Sequence, residues 1–174
     1  AVPFLLIALF QLGQGLLGGP SAIAIRRIRR FVRAHTDWRL RVYRTPAGLR
    51  VLAVHATFDP RDPAVAECFE ALGADPAYVR MCLAQRCFRA RISPKPWRIG
   101  EVNLSKRTRA VWPVSPETAG MRAAWIERYE ATARSFASCV FVEEIGDRRT
   151  NPHAEAVRRI HDEACRAETS LPIA

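Results

Sequence analysis

Four times along this chain a helix-capping residue stands directly before a proline, and these pairs constrain the fold more than any other feature. They are Asp62-Pro63, Asp75-Pro76, Ser115-Pro116 and Asn151-Pro152. Proline is favoured at the first position of a helix, where its missing N–H is not needed, and the residue before it can cap the helix. The first of these segments ends at Leu72-Gly73, a typical helix stop. The sequence therefore predicts four helices, each beginning at one of these prolines.

Four segments around these helices predict strands. The segments "WRLRVYRT" (38–45) and "GLRVLAVHATF" (48–58) are joined by "TPAG", whose proline and glycine favour a hairpin turn. Two more strands are predicted at "CFRARIS" (87–93) and "CVFVEEIG" (139–146). The order is ββααβαβα, which predicts an α+β fold with a mixed or antiparallel sheet and helices on one face. We expect the third helix to pack on the sheet through its aromatic stripe of Trp125, Tyr129 and Phe136.

Residues 1–19, "AVPFLLIALFQLGQGLLGG", carry no charge and predict a transmembrane helix, which needs about 20 apolar residues. Since the chain starts at Ala1 rather than Met, we expect this helix to be truncated. A secretory signal would carry a basic residue before the apolar run. Here the arginines follow the apolar run, within 20–36. The alternative to a transmembrane helix is that residues 1–19 form a buried N-terminal helix of a soluble domain. The arginines are Arg26, Arg27, Arg29, Arg30 and Arg33.

Arginines directly after an apolar span hold that end in the cytoplasm. We therefore expect a protein of the bacterial inner membrane, anchored through residues 1–36, with 37–174 as a cytoplasmic α+β domain. The segment 20–36 is predicted to form a basic amphipathic helix at the membrane surface, where it would bind anionic headgroups.

The segment "CFRARISPKPWRIG" (87–100) carries four cationic residues, with Arg86 directly before it, in a chain whose net charge is +10. If this segment is a strand, the side chains of Arg89 and Arg91 point from the same face of the sheet. Arg44 and Arg50 flank the hairpin turn. Guanidinium groups suit phosphate, and an interleaved tryptophan can stack a base. The alternative is a solvated strand face in an arginine-rich protein. The predicted ligand-binding residues are Arg44, Arg50, Arg89, Arg91, Lys95, Trp97 and Arg98.

The sequence gives weaker evidence for acid–base catalysis and for a bound metal or cofactor. His55 and Asp59 are the candidates for an acid–base pair, although a strand-end histidine beside a helix-capping loop is more common. His161, between Ile160 and Ala164, is interpreted as a core histidine. The five cysteines lack the closely spaced pairs typical of zinc sites, and no nucleotide-binding glycine motif is present, so we predict no metal and no cofactor.

The stretches "VYRTPAGLRVL", "LGADPAYVRMC" and "QRCFRARISPKPWR" resemble a set of uncharacterised bacterial proteins, often with apolar N-terminal segments, over about residues 38–165. A remoter resemblance is to archaeo-eukaryotic-type primase-polymerase domains, whose strand–turn–strand "TSG…H" element binds nucleotide phosphate. "RTPAGLR" matches this element in outline, with Arg50 near the position of the histidine. The family's paired acidic metal ligands precede that element, whereas here only Asp37 does. The resemblance therefore implies phosphate binding rather than polymerase chemistry.

Three functions follow as hypotheses. The first is a membrane-anchored domain that binds nucleic acid or a nucleotide on an arginine-rich sheet face. The second is an enzyme that acts on a phosphorylated small molecule through His55, Asp59 and the same arginines. The third is a structural adaptor at the membrane without any ligand.

Overall fold

The computed structural model describes residues 6–10, 19–104 and 113–174. Their elements, in chain order, are β1 (Leu6–Phe10), α1 (Pro20–Ala34), β2 (Arg39–Thr45), β3 (Gly48–Ala53), α2 (Pro63–Leu72), α3 (Pro76–Gln85), a 3₁₀ turn (Pro96–Arg98), α4 (Pro116–Ala133), β4 (Val140–Gly146) and α5 (Pro152–Cys165). The fold is α+β, as the sequence predicts. Each helix predicted from a capping residue and a proline begins at that proline.

The strands form one antiparallel sheet in the order β1-β3-β2-β4. The predicted hairpin is confirmed: Thr45 pairs with Gly48, and Gly48 has a φ of 146°. The predicted strand over 87–93 is wrong, because that segment has no regular secondary structure. Backbone groups of the segment bond to side chains instead of to a strand: the Arg89 N–H donates to the Tyr78 hydroxyl, and the Arg91 carbonyl accepts from Arg50 Nη2.

Helices lie on both faces of the sheet, not on one. Arg29 of α1 forms an ion pair with Glu143, which lies opposite Val42 in the sheet. Asp162 of α5 accepts a hydrogen bond from Tyr43, the neighbour of Val42 on β2. Successive residues of a strand point to opposite faces, so α1 and α5 cover opposite sides.

Helix α1 belongs to the core of this domain. Its buried residues Ala24, Ile28, Phe31 and Val32 join the main hydrophobic cluster, and the helix packs against α2, β3 and β4. Its apolar face is therefore covered by protein. The predicted membrane-surface helix would need that face to be free for lipid. The arginines at 26, 27, 29, 30 and 33 are exposed on the other face.

The predicted transmembrane helix lies mostly outside the described residues. Of its residues 1–19, Leu6–Phe10 are described as a strand that pairs with β3 rather than as part of a helix. A short apolar run does not distinguish strand from helix by periodicity, and the free edge of β3 offers backbone partners. Within the described ranges no helix is both long and apolar enough to cross a membrane.

Helix α4 packs on a loop rather than on the sheet. Tyr129 of α4 and Phe136, which follows the helix, pack against a small second cluster of Ile99, Ala133 and Ala174. Trp125 donates from Nε1 to the Val102 carbonyl at 2.8 Å, and Tyr129 donates to the Pro94 carbonyl at 2.6 Å. The predicted stripe thus fixes the segment between Pro94 and Val102, which carries three of the predicted ligand-binding residues, Lys95, Trp97 and Arg98.

Candidate anion-binding site

A cavity of about 150 Å³ lies beside the turn of the β2–β3 hairpin. Four of its lining residues are cationic, and none of its described lining residues has a carboxylate side chain. The cations are Arg50, Arg91, Lys95 and Arg98. All four are among the residues predicted from the sequence to bind a ligand.

Rigid backbone brings these cations together. Arg50 lies on β3, opposite Tyr43 of β2. Arg91 follows α3 in an irregular segment, and its carbonyl accepts a hydrogen bond from Arg50 Nη2 at 2.9 Å. Lys95 precedes the short 3₁₀ turn and Arg98 ends it, and the Arg98 N–H donates to the Lys95 carbonyl at 2.9 Å. Prolines at 94 and 96 restrict this backbone further.

Three of the four cations have no carboxylate partner in the described part of the chain. Glu143 and Glu144 of β4 do not line the cavity and pair with arginines at positions 29, 39 and 41. Like charges at close range repel unless a counterion is present. Arg91, Lys95 and Arg98 therefore create a positive potential that favours an anion.

Ser138 adds an unused polar group to the cavity. It is 6% exposed, and its hydroxyl has no hydrogen-bond partner among the described residues. Leaving such a group unpaired costs about 1–3 kcal/mol. A ligand oxygen in the cavity that Ser138 lines would satisfy it.

An aromatic groove of about 350 Å³ adjoins the cavity and shares Arg91 and Ser93 with it. Trp125 and Tyr129 stack in the groove with ring centroids 5.0 Å apart. Trp97 is 57% exposed there, although a tryptophan is usually well covered. The groove thus offers flat apolar faces next to concentrated positive charge.

The remaining predicted residues lie elsewhere. Arg44 and Arg89 are exposed and do not line the cavity. His55 is packed between Trp38 and Phe58, with ring centroids 4.8 and 5.4 Å away, and burial lowers its pKa. Asp59 caps a turn by accepting from the Arg61 N–H. His55 and Asp59 do not line the cavity either, so it gives no support to an acid–base role for them.

Beneath the cavity the structure assembles a cluster that the sequence analysis missed, formed by Cys139, His161 and Cys165. Their sulfur and nitrogen atoms lie within 4.8 Å of one another, and all three residues are buried. A hydrogen bond from Cys139, stronger than the opposing effect of burial, lowers the pKa of Cys165 to about 5. The same bond, together with burial, raises the pKa of Cys139. Arg50, which is 9% exposed, places its Nη1 3.5 Å from the Cys165 sulfur.

A buried ionic network supports the cluster from the side of α5. Asp162 accepts hydrogen bonds from Tyr43 at 2.6 Å, Arg158 at 2.8 Å, and Arg41 and His161 at 2.9 Å. Burial alone would raise the pKa of Asp162, but the bonds from His161 and Tyr43 and the charge of Arg41 hold it below its usual value. The carboxylate is thus ionised and fixes the orientation of His161.

One sequence signal pointed to part of this cluster. His161 and Cys165 are four residues apart, which places both side chains on one face of a helix. Cys139 and Ser138 carry no comparable signal, because only the packing of β4 against α5 brings them near.

Comparison of the chain with protein-family models, curated protein sequences and solved structures gives no match. The chemistry of the cavity is therefore the basis for assigning a function.

Proposed function

We propose that this protein binds a nucleotide phosphate, free or in a nucleic-acid chain, in the cavity lined by Arg50, Arg91, Lys95 and Arg98. The observation that carries the proposal is the set of cations without side-chain carboxylates in a cavity with an unpartnered buried hydroxyl. Guanidinium groups and hydroxyls are the donors that phosphate oxygens accept from.

The size of the cavity and the adjoining groove support a nucleotide over a larger ligand. Pockets for drug-sized ligands are about 300–1,000 Å³, so a cavity of about 150 Å³ suits a single small group such as a phosphate. The base would stack in the groove on Trp97 or on the Trp125 ring, where a stacked base contributes about 1–3 kcal/mol. Stacking is tolerant of sequence, so we expect little discrimination among bases.

Binding is measured by calorimetric titration of the full chain with AMP, inorganic phosphate and a 5′-phosphorylated oligonucleotide. The variant Arg91→Ala should weaken binding of all three by about tenfold or more, as loss of a charged hydrogen bond does. Arg89→Ala is the matched control, because Arg89 lies two residues away, is also exposed and does not line the cavity. It should bind within about twofold of the parent chain.

The base is tested separately with Trp97→Ala. This variant should weaken AMP and oligonucleotide binding more than binding of inorganic phosphate, because phosphate makes no ring contact and is affected only through the loss of the Lys95–Trp97 contact. Affinity for the oligonucleotide should fall steeply with salt. Equal effects of Arg89→Ala and Arg91→Ala would indicate diffuse charge attraction and contradict the proposal.

We further propose that residues 1–36 attach the protein to the bacterial inner membrane, with the binding cavity on the cytoplasmic side. The exposed arginine face of α1 supports this, since it can contact anionic headgroups while the apolar face stays packed in the domain.

A further inference from the structure

The cluster of Cys139, His161 and Cys165 brings three metal-binding atoms to one point. Cys139 precedes β4, whereas His161 and Cys165 are one turn apart on α5. The Ser138 N–H donates to the Cys165 carbonyl at 3.0 Å, which ties the two segments together through the backbone. Two cysteine sulfurs and one imidazole are a donor set that zinc takes, with three protein ligands and one open position in catalytic sites.

A positive nitrogen already lies among these three atoms. Arg50 Nη1 is 2.9 Å from His161 Nε2, 3.5 Å from Cys165 Sγ and 3.7 Å from Cys139 Sγ. A guanidinium only donates hydrogen bonds, so all three atoms direct lone pairs at the same cation. The cavity that Arg50 lines gives its side chain room to move away from them.

The imidazole has the supporting contact that metal-binding histidines usually have. Its Nδ1 lies 2.9 Å from Asp162 Oδ1, which fixes the proton on Nδ1 and leaves Nε2 as the acceptor facing the sulfurs. Carboxylate partners of this kind orient histidine ligands of metals, and their loss typically weakens metal binding 10–100-fold. Asp162 is in turn held by Tyr43 and Arg41.

We propose that Cys139, His161 and Cys165 form a Zn²⁺ site in which the metal replaces the Arg50 guanidinium. Zinc binds both sulfurs as thiolates, so the protons carried by the Cys139 and Cys165 thiols are released to solvent, and no oxidation or reduction occurs. Water or an anion oxygen from the cavity takes the fourth position. Arg50 turns into the cavity. The site does not depend on nucleotide binding.

The test uses Co²⁺ as a spectroscopic substitute for Zn²⁺ in the full chain after treatment with a chelator. We expect one Co²⁺ per chain, with a thiolate-to-cobalt charge-transfer band that Zn²⁺ abolishes by displacement. Cys139→Ser and Cys165→Ser should each reduce the band, and the double variant should lose it. Cys87→Ser, which changes a half-buried free cysteine outside the cluster, should leave it unchanged.

Arg50→Met distinguishes metal exchange from a purely structural role of the cluster. Removing the competing guanidinium should tighten Co²⁺ binding, whereas a site that needs Arg50 would bind more weakly. Asp162→Asn should weaken binding about 10–100-fold.

A measurement on the unmodified chain tests the proposal even if the variants fail to fold. In mild denaturant, Zn²⁺ should slow alkylation of Cys139 and Cys165, mapped by mass spectrometry, without slowing that of Cys87. Absence of the charge-transfer band in the parent chain, or its persistence in the double variant, would overturn the proposal. So would weaker Co²⁺ binding by a folded Arg50→Met variant.

Discussion

Replacing Arg41 by methionine tests how far the buried ionic network stabilises this fold. Arg41 is 8% exposed, and its guanidinium donates to Glu144, Asp162 and Glu168 at 2.9–3.2 Å. Its Nε also donates to the Tyr43 hydroxyl at 3.0 Å. Methionine keeps the aliphatic stem, so the change removes the charge and the donors while filling much of the same volume.

Removing one partner of a buried ionic network typically costs about 3–5 kcal/mol, because the remaining charges stay buried without compensation. Asp162 keeps Arg158, and Glu144 keeps Arg39. These contacts limit the loss, so we expect Arg41→Met to lower the free energy of unfolding by about 3 kcal/mol, the lower end of that range.

The matched control is Arg29→Met. Arg29 also pairs with a β4 glutamate, Glu143, but its side chain is 53% exposed. Exposed ion pairs contribute about 0–1 kcal/mol, so this variant should unfold close to the parent chain. Urea denaturation in chelator-treated buffer, followed by tryptophan fluorescence, gives both values. A loss below about 1 kcal/mol for Arg41→Met, or equal losses for the two variants, would refute the role assigned to the network.

Three further predictions follow from local geometry and from the sequence. Gly146→Ala should destabilise the chain by about 2 kcal/mol or more, since the φ of Gly146 is 114° and an added Cβ would overlap the Trp38 carbonyl oxygen. Thermal unfolding measures the loss, and Gly120→Ala is the control because a Cβ added there has no atom within 4 Å. Asn151→Ala should cost about 1 kcal/mol in urea denaturation, because the Asn151 side chain accepts from two N–H groups at the start of α5; a cost near zero would contradict the capping role. The intact chain should co-sediment with vesicles containing anionic lipid and be released by high salt, because exposed arginines make the proposed membrane contact; absence of co-sedimentation would refute the attachment proposed for residues 1–36.

Local chemistry determined the helix starts and the hairpin. At Asp62 and Asn151 the side chain accepts hydrogen bonds from the first N–H groups of the helix, and the proline that follows already has a helical φ. Gly73 ends α2 with a φ of 67°, as the Leu72-Gly73 stop predicts. These features depend only on residues close in sequence, so the sequence alone was sufficient to predict them.

The cationic residues were identifiable from the sequence, but their arrangement was not. The alternation in "CFRARIS" predicts a strand, yet the backbone of this segment bonds to the side chains of Tyr78 and Arg50 rather than to a neighbouring strand. Arg91 therefore lies in an irregular segment, and its carbonyl accepts a hydrogen bond from Arg50. Arg89 does not line the cavity. Tertiary contacts hold these distant residues together: Arg50 bonds to the Arg91 carbonyl, and Tyr129 of α4 bonds to the Pro94 carbonyl beside Lys95.

The same holds for the sulfur and imidazole cluster. The spacing of His161 and Cys165 is visible in the sequence, but the residues around Cys139 predict only an ordinary buried thiol beside a strand. Packing α5 against the start of β4 places the third ligand atom within 4.8 Å of the other two and inserts Arg50 among them. Such a site is decided by tertiary structure, because contacts between distant segments depend on the packing of whole elements and leave no periodic pattern in the chain.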